Sequence, residues 1–179
     1  MKRSFALALL FVLVAAHAFA ATVTVFDKRQ FSFPVPDGWK FAESRGENGL
    51  QTVILDDPAG SIKLAFTFIP DAEKRFATKE QVSSLMGDAL ADLLAGAVEK
   101  QLSFTVVDAP GGYEAHSFFT DKKLADVKTL PKDQWRNATA GVRTFGGGFV
   151  FFTLLANDRD SAARTRALEL VTKELHEIR

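Results

Sequence analysis

The sequence predicts an α+β domain in which an antiparallel β-sheet is flanked by helices, the layering of an α/β/α sandwich. Three observations predict it. Apolar residues alternate with period two through consecutive segments separated by Gly, Pro and Asp turns, the pattern of antiparallel hairpins. The period changes to three and four residues twice, from Thr78 and again after Asp160, which gives two amphipathic helices. Neither an internal repeat nor a proline- or serine-rich linker divides residues 21–179, so these elements share a single domain.

Residues 1–20 read as an address. Lys2 and Arg3 precede an unbroken apolar run from Phe5 to Ala16, and Ala18-Phe19-Ala20 puts small residues where signal peptidase reads them. A signal peptide cleaved between Ala20 and Ala21 is expected, with Ala16-His17-Ala18 as a weaker second site. The run is shorter than the roughly 20 residues that cross a bilayer, and no later segment is longer or more apolar. The expectation is a periplasmic or secreted chain that does not span the membrane, with the Gram-negative periplasm the first choice.

Composition narrows the chemistry. The 22 basic residues balance 22 acidic ones, so the basic excess that nucleic-acid binders carry is missing. The chain has no cysteine, which removes disulfides, thiolate nucleophiles, zinc–thiolate and iron–sulfur sites, and lipid attachment at a lipobox. Core burial must stabilise the domain unaided, and about 160 residues suffice for that.

Along the expected mature chain, Val23 and Val25, the polar turn Asp27-Lys28-Arg29-Gln30, and Phe31, Phe33 and Val35 form a hairpin. Pro34 and Pro36 remove two backbone donors, so the second strand must end or lie on an edge there. Pro36-Asp37-Gly38 turns the chain into a short strand at Trp39 and Phe41, followed by a polar loop from Ser44 to Gly49. Thr52–Leu55 and Ile62–Phe68 make a second hairpin around Asp56-Asp57-Pro58-Ala59-Gly60. Thr78 and Gln81 have capping-box spacing, and the helical period runs from Val82 through Leu85, Met86, Ala89, Leu90, Leu93, Leu94 and Ala97 to Val98. Gly87 and Gly96 inside it suggest close packing on the sheet.

Strands are expected again at Phe104–Val107, Tyr113–Thr120, Trp135–Thr144 and Phe149–Ala156, with Leu124–Leu130 ambiguous. The last strand is apolar on both faces, so it should be central and covered on each side. Asp160 or Ser161 caps a closing helix carrying Leu168, Val171, Leu175 and Ile178. Seventeen phenylalanines, most at strand positions, supply much of the core area.

The opening TVTVFDKRQFSFPVPDGWK resembles that of the Mog1/PsbP-like domains, in the turn formed by Phe31, Phe33, Pro34, Pro36, Gly38 and Trp39. The order of the later elements extends the resemblance over nearly all of residues 21–179. The resemblance implies a helix-flanked antiparallel sheet and a bacterial exported member of a family that includes extrinsic photosystem subunits, a nuclear transport factor and envelope proteins. It implies action by binding protein partners, with no cofactor, metal or partner residue transferred to particular positions.

The search for catalytic patterns points the same way. Of three histidines, His17 lies in the signal; His116 is expected on a strand, facing water or a neighbouring backbone, and His176 at a helix C-terminus. Two histidines without cysteine make a poor zinc set. No Gly-x-Ser-x-Gly elbow is present, so a small hydrolase built on His116 with Ser117 or Asp121 is the weakest reading. Asp56-Asp57, Asp71 with Glu73, and Asn157-Asp158-Arg159-Asp160 are explained by turns and a helix start. Gly146-Gly147-Gly148 precedes a strand and is a hairpin turn, not a phosphate cradle. The sequon Asn137-Ala138-Thr139 falls within a strand.

The leading expectation is therefore a non-enzymatic protein without cofactor that docks an envelope protein. Trp39 with Phe41 and, as a second patch, Trp135 with Arg136 are its candidate contacts, since tryptophan and arginine dominate many interfaces; the plainer alternative is that both tryptophans fill corners of the core. A carrier of a small apolar ligand, with a cleft between helix and sheet, is the second functional alternative.

Overall fold

The computed structural model describes residues 19–178. The expected signal peptide lies outside the described residues except for Phe19 and Ala20. Two antiparallel sheets and two helices make up the domain. The larger sheet has seven strands in the order β3-β4-β5-β9-β8-β7-β6: β3 (Lys40–Arg45), β4 (Gln51–Asp56), β5 (Ile62–Pro70), β6 (Val107–Ala109), β7 (Gly112–Thr120), β8 (Asn137–Phe145) and β9 (Gly148–Ala156). The smaller joins β1 (Phe19–Thr24), β2 (Gln30–Val35) and β10 (His176–Ile178) in the order β1-β2-β10.

As its two-faced apolar pattern requires, β9 occupies the middle of the large sheet. Val150, Phe152, Leu154 and Ala156 enter one core with Leu64, Phe66 and Phe68 of β5 and Val53 and Leu55 of β4. That face is covered by β1 and β2, through Val23, Phe31, Phe33 and Val35, and by α2 (Ala162–Glu169) with the π-helical turn Leu170–Glu174. Tilted and edge-on phenylalanine contacts, such as Phe33 with Phe66 at 5.2 Å, fill the space between the layers. The opposite face carries Ala115, Ala140, Val142 and Phe149 under α1 (Lys79–Gly96). The N-terminal hairpin thus forms a sheet of its own, and one outer layer of the expected sandwich is part strand and part helix.

Pro34 and Pro36 are accommodated as their missing donors demand. β10 pairs only with Gln30–Ser32, so the outer edge of β2 is open by the time the chain reaches Pro34. The next turn closes through Trp39 N–H to the Pro36 carbonyl at 3.1 Å, with Gly38 at φ +75° where a side chain would be strained.

Several boundaries differ from expectation, each for a backbone reason. α1 has its capping box, Thr78 with Gln81, but ends at Gly96 instead of including Val98. Ala97 bridges Asp121 and the Val98 N–H donates to the Thr120 carbonyl at 2.8 Å, so the chain continues as an extension of the sheet. Only Val82, Met86 and Leu90 of the helix are fully buried; Leu93 is 38% exposed and Ala89 lies in solvent. Gly87 and Gly96 meet nothing within 4 Å of a built Cβ, which overturns the close-packing explanation.

The closing helix stops at Glu174, because His176–Ile178 find unpaired backbone on β2 and leave the helix as β10; Ile178 is exposed, not core. Of the strand expected at Phe104–Val107, only Val107 joins the ladder, while the Ser103 carbonyl accepts from the Ser117 hydroxyl at 3.2 Å. Residues 122–126 form turns. β3 extends through Arg45 into the expected loop, and β8 begins at Asn137, two residues later than expected, since the Arg136 N–H bonds the Asn157 side chain.

Candidate functional site

Antiparallel register places the starts of β3, β5 and β8 and the ends of β4, β7 and β9 at the same end of the large sheet, and loop 121–136 folds over that end. The loop is tied to the C-terminus of α1 by Lys122 N–H to the Gly96 carbonyl at 3.0 Å and returns to the sheet through Asp121 N–H to the Arg136 carbonyl at 2.8 Å. Glu99, just beyond α1, accepts from the Thr120 N–H at 2.7 Å and its hydroxyl at 3.0 Å. Burial opposes its ionisation, but these bonds and nearby Arg159 outweigh that and hold its carboxyl below the usual range.

Between this loop and α1 lies a groove of about 230 Å³ whose apolar lining includes Leu93, Ala97, Phe119, Trp135, Ala138 and Leu155. Asp92, Asp121 and Arg136 also line it. Trp135 is the dividing wall. On its other side is a recess of about 400 Å³ lined by Lys40, Asp56, Asp57, Lys63, Lys132 and Asp133, and the Lys63 ammonium stands 5.4 Å from the Trp135 ring centre. An apolar centre beside a charged rim is the anatomy of a protein-binding patch. The buried indole Nε1 of Trp135 has no hydrogen-bond acceptor among the described residues.

The two candidate pairs lie apart, Trp39 with Phe41 and Trp135 with Arg136. Trp39 and Phe41 are half-buried against the core on the opposite face, where Phe41 meets Phe33 at 5.9 Å. The Arg136 guanidinium is committed to the loop, donating to the carbonyls of Leu124 at 3.3 Å and Val127 at 2.7 Å. Of the four, Trp135 alone lines both the groove and the charged recess. Leu93 completes the groove wall; its helical spacing made it look like core, and only the narrowness of the buried stripe reveals otherwise.

The other sequence candidates fall to structural duties. His116 Nδ1 lies 3.1 Å from Glu114 Oε1, and Ser117 points to the opposite face of β7, so they do not form a nucleophile–base pair. The expectation that His116 faces water or backbone is thus met only in part: its side chain is 38% exposed but paired with a carboxylate. His176 sits on β10, not on the helix, though it still bonds the Glu174 carbonyl at 2.8 Å. Asp57 accepts from the Ile62 N–H and the Ser61 hydroxyl, and Asp71 from the Arg75 and Phe76 N–H groups, as turn residues do. Ser161, not Asp160, caps α2. Asn137 of the sequon is buried and donates to the Asn157 carbonyl.

A helix–sheet cleft for an apolar ligand is closed where it was expected. Val82, Met86 and Leu90 are wholly buried against the sheet, and the groove at the helix end is below the ~300–1,000 Å³ of typical ligand pockets. Among the described residues no helix is long and apolar enough to cross a membrane, and no group of three or more His, Asp or Glu is arranged to hold a metal ion.

These features define an α+β class: a seven-stranded antiparallel sheet with α1 on one face and a small sheet plus α2 on the other. No family profile and no curated protein matches the chain. Among solved structures it is similar to the solution structure of cyanobacterial PsbP (CyanoP) from Synechocystis sp. PCC 6803, at 15% identity and a TM-score of 0.56, covering 92% of this chain and 96% of that one. The fold is PsbP-like. At this identity the likeness speaks to architecture alone.

Proposed function

We propose that this is an exported, non-enzymatic protein that acts in the bacterial envelope by seating a segment of a protein partner in the groove beside Trp135. The observation that carries the reading is an open apolar groove in which Trp135 stands beside exposed Leu93, with Asp92, Asp121 and Arg136 also in its lining. An apolar side chain seated there would cover Leu93 and the edge of the indole, at about 25 cal/mol per Å² of apolar area removed from water. The PsbP-like architecture supports the reading without specifying a partner.

The test is photo-cross-linking in intact cells with a benzophenone residue at Leu93, against the same residue at Ser84, an exposed position nearer the start of α1. A discrete adduct from position 93 and not from 84, weakened by Trp135→Phe, is expected. No reproducible adduct, or identical patterns from both positions, would refute partner docking here. N-terminal sequencing of the protein from osmotic-shock fluid should begin at Ala21; an unprocessed protein confined to the cytoplasm would refute export.

A further inference from the structure

At the other end of the nine-residue central strands, ~26 Å from the Trp135 groove at about 3.3 Å per residue, a second cleft has different chemistry. It lies between the β6–β7 turn, the β8–β9 turn and β10, with a volume of about 410 Å³. Phe31, Phe145, Pro110 and Leu175 contribute apolar walls, Arg29, Arg143 and His176 supply cationic or titratable groups, and Glu177 brings a carboxylate.

Arg143 is the unusual member. It sits in mid-sheet on β8, opposite Glu114 of β7 and Val150 of β9, and is 3% exposed. Among the described residues its guanidinium makes one hydrogen bond, from Nη1 to the Val171 carbonyl at 3.0 Å. Glu114, across from it on β7, favours its charge but makes no hydrogen bond to it, and Glu114 Oε1 lies 3.1 Å from His116 Nδ1. Burial pushes the Arg143 pKa down, the mark of a charge only partly compensated.

Its neighbour Arg29 is different. The Arg29 Nε donates to Glu177 at 2.6 Å, and the guanidinium packs on Phe26, Phe31 and Phe145 within 5.6 Å, so that charge is already balanced. Arg143 lines the cleft with Nε and Nη2 making no hydrogen bond among the described residues, beside aromatic and aliphatic walls and exposed His176. A planar guanidinium edge matches two oxygens of a carboxylate or phosphate. The volume falls within the ~300–1,000 Å³ of small-molecule sites.

We propose that this cleft binds a small organic oxyanion, a carboxylate or phosphate on a compact apolar body, with Arg143 as its principal ligand. The proposal is independent of partner docking at Trp135. It is tested by titrating the purified protein with benzoate, phenyl phosphate and inorganic phosphate while following the backbone amides of Gly111, Gly146 and His176 by NMR. Saturable shifts centred on these amides are expected with at least one organic anion, and the tighter of the two identifies the headgroup. Arg143→Met should weaken binding at least ~10-fold, and Arg143→Lys, which keeps charge but loses the fork, by less. Should Arg143→Met fail to fold, Arg143→Lys and the exposed-site variant His176→Gln carry the comparison, each expected to weaken binding. Absence of saturation up to ~20 mM of every probe, or affinities unchanged across the folded variants, would overturn the proposal.

Discussion

Two glycines give opposite predictions from the same substitution. Gly87 lies inside α1, and a Cβ built there meets no heavy atom within 4 Å. Gly87→Ala therefore adds a methyl group in open space while removing backbone freedom from the unfolded chain. The expected gain is about 0.5–1 kcal/mol, or ~1–4 °C in Tm for a domain of this size.

Gly141, in the middle of β8, is hemmed in. A Cβ there would press on the Ala115 carbonyl oxygen of β7 and stand 2.6 Å from His116 Cβ and 2.7 Å from Phe152 Cζ, where ordinary contact begins at 3.4 Å. Neighbours on two strands would have to retreat by at least about 0.7 Å, and the closest is backbone held in the ladder, so Gly141→Ala should cost about 3 kcal/mol. Urea unfolding followed by far-UV circular dichroism measures both, with the slope checked for constancy. A destabilised Gly87→Ala, or a Gly141→Ala indistinguishable from the parent, would refute the packing argument.

Two further outcomes follow from named contacts. Glu99 has a lowered folded-state pKa, so its contribution is fully present above the unfolded value near 4.5 and is lost as pH falls through the folded one. Glu99→Gln should cost about 1–2 kcal/mol near neutral pH, and urea midpoints across a pH series should show the gap closing in acid. Phe66 is wholly buried against Phe33 and Phe68, joining the two sheets; Phe66→Ala should cost ~3–5 kcal/mol by the same unfolding assay, and a loss below ~1 kcal/mol would contradict the assigned core.

Much of the architecture was legible because its signals are local. Period-two alternation in β2 and β5, the capping box at Thr78 and the two-faced apolar run of β9 each report a nearby environment that a few residues specify. Errors arose where a segment's fate depended on a distant backbone edge. Val98 left the helix for Thr120, His176–Ile178 left it for β2, and of Phe104–Val107 only Val107 found a ladder partner, Glu114. An apolar period describes which side is greasy, but it does not say where unpaired N–H and C=O groups wait.

The sites were less legible for a related reason. Trp135 stood out by residue type, whereas Trp39 and Phe41 proved to be packing on the opposite face and Arg136 a brace for its loop. Arg143 was passed over, although an arginine between Val142 and Thr144 on a strand face otherwise carrying Thr139 and Gly141 was the available clue. By itself, then, the sequence determined the alternation, the helix start and the centrality of β9, since burial of side chains repeats with the geometry of each element. Only the tertiary structure decided which polar atoms were left unpaired and which residues met at a groove or cleft, because both are properties of neighbours that lie far apart along the chain.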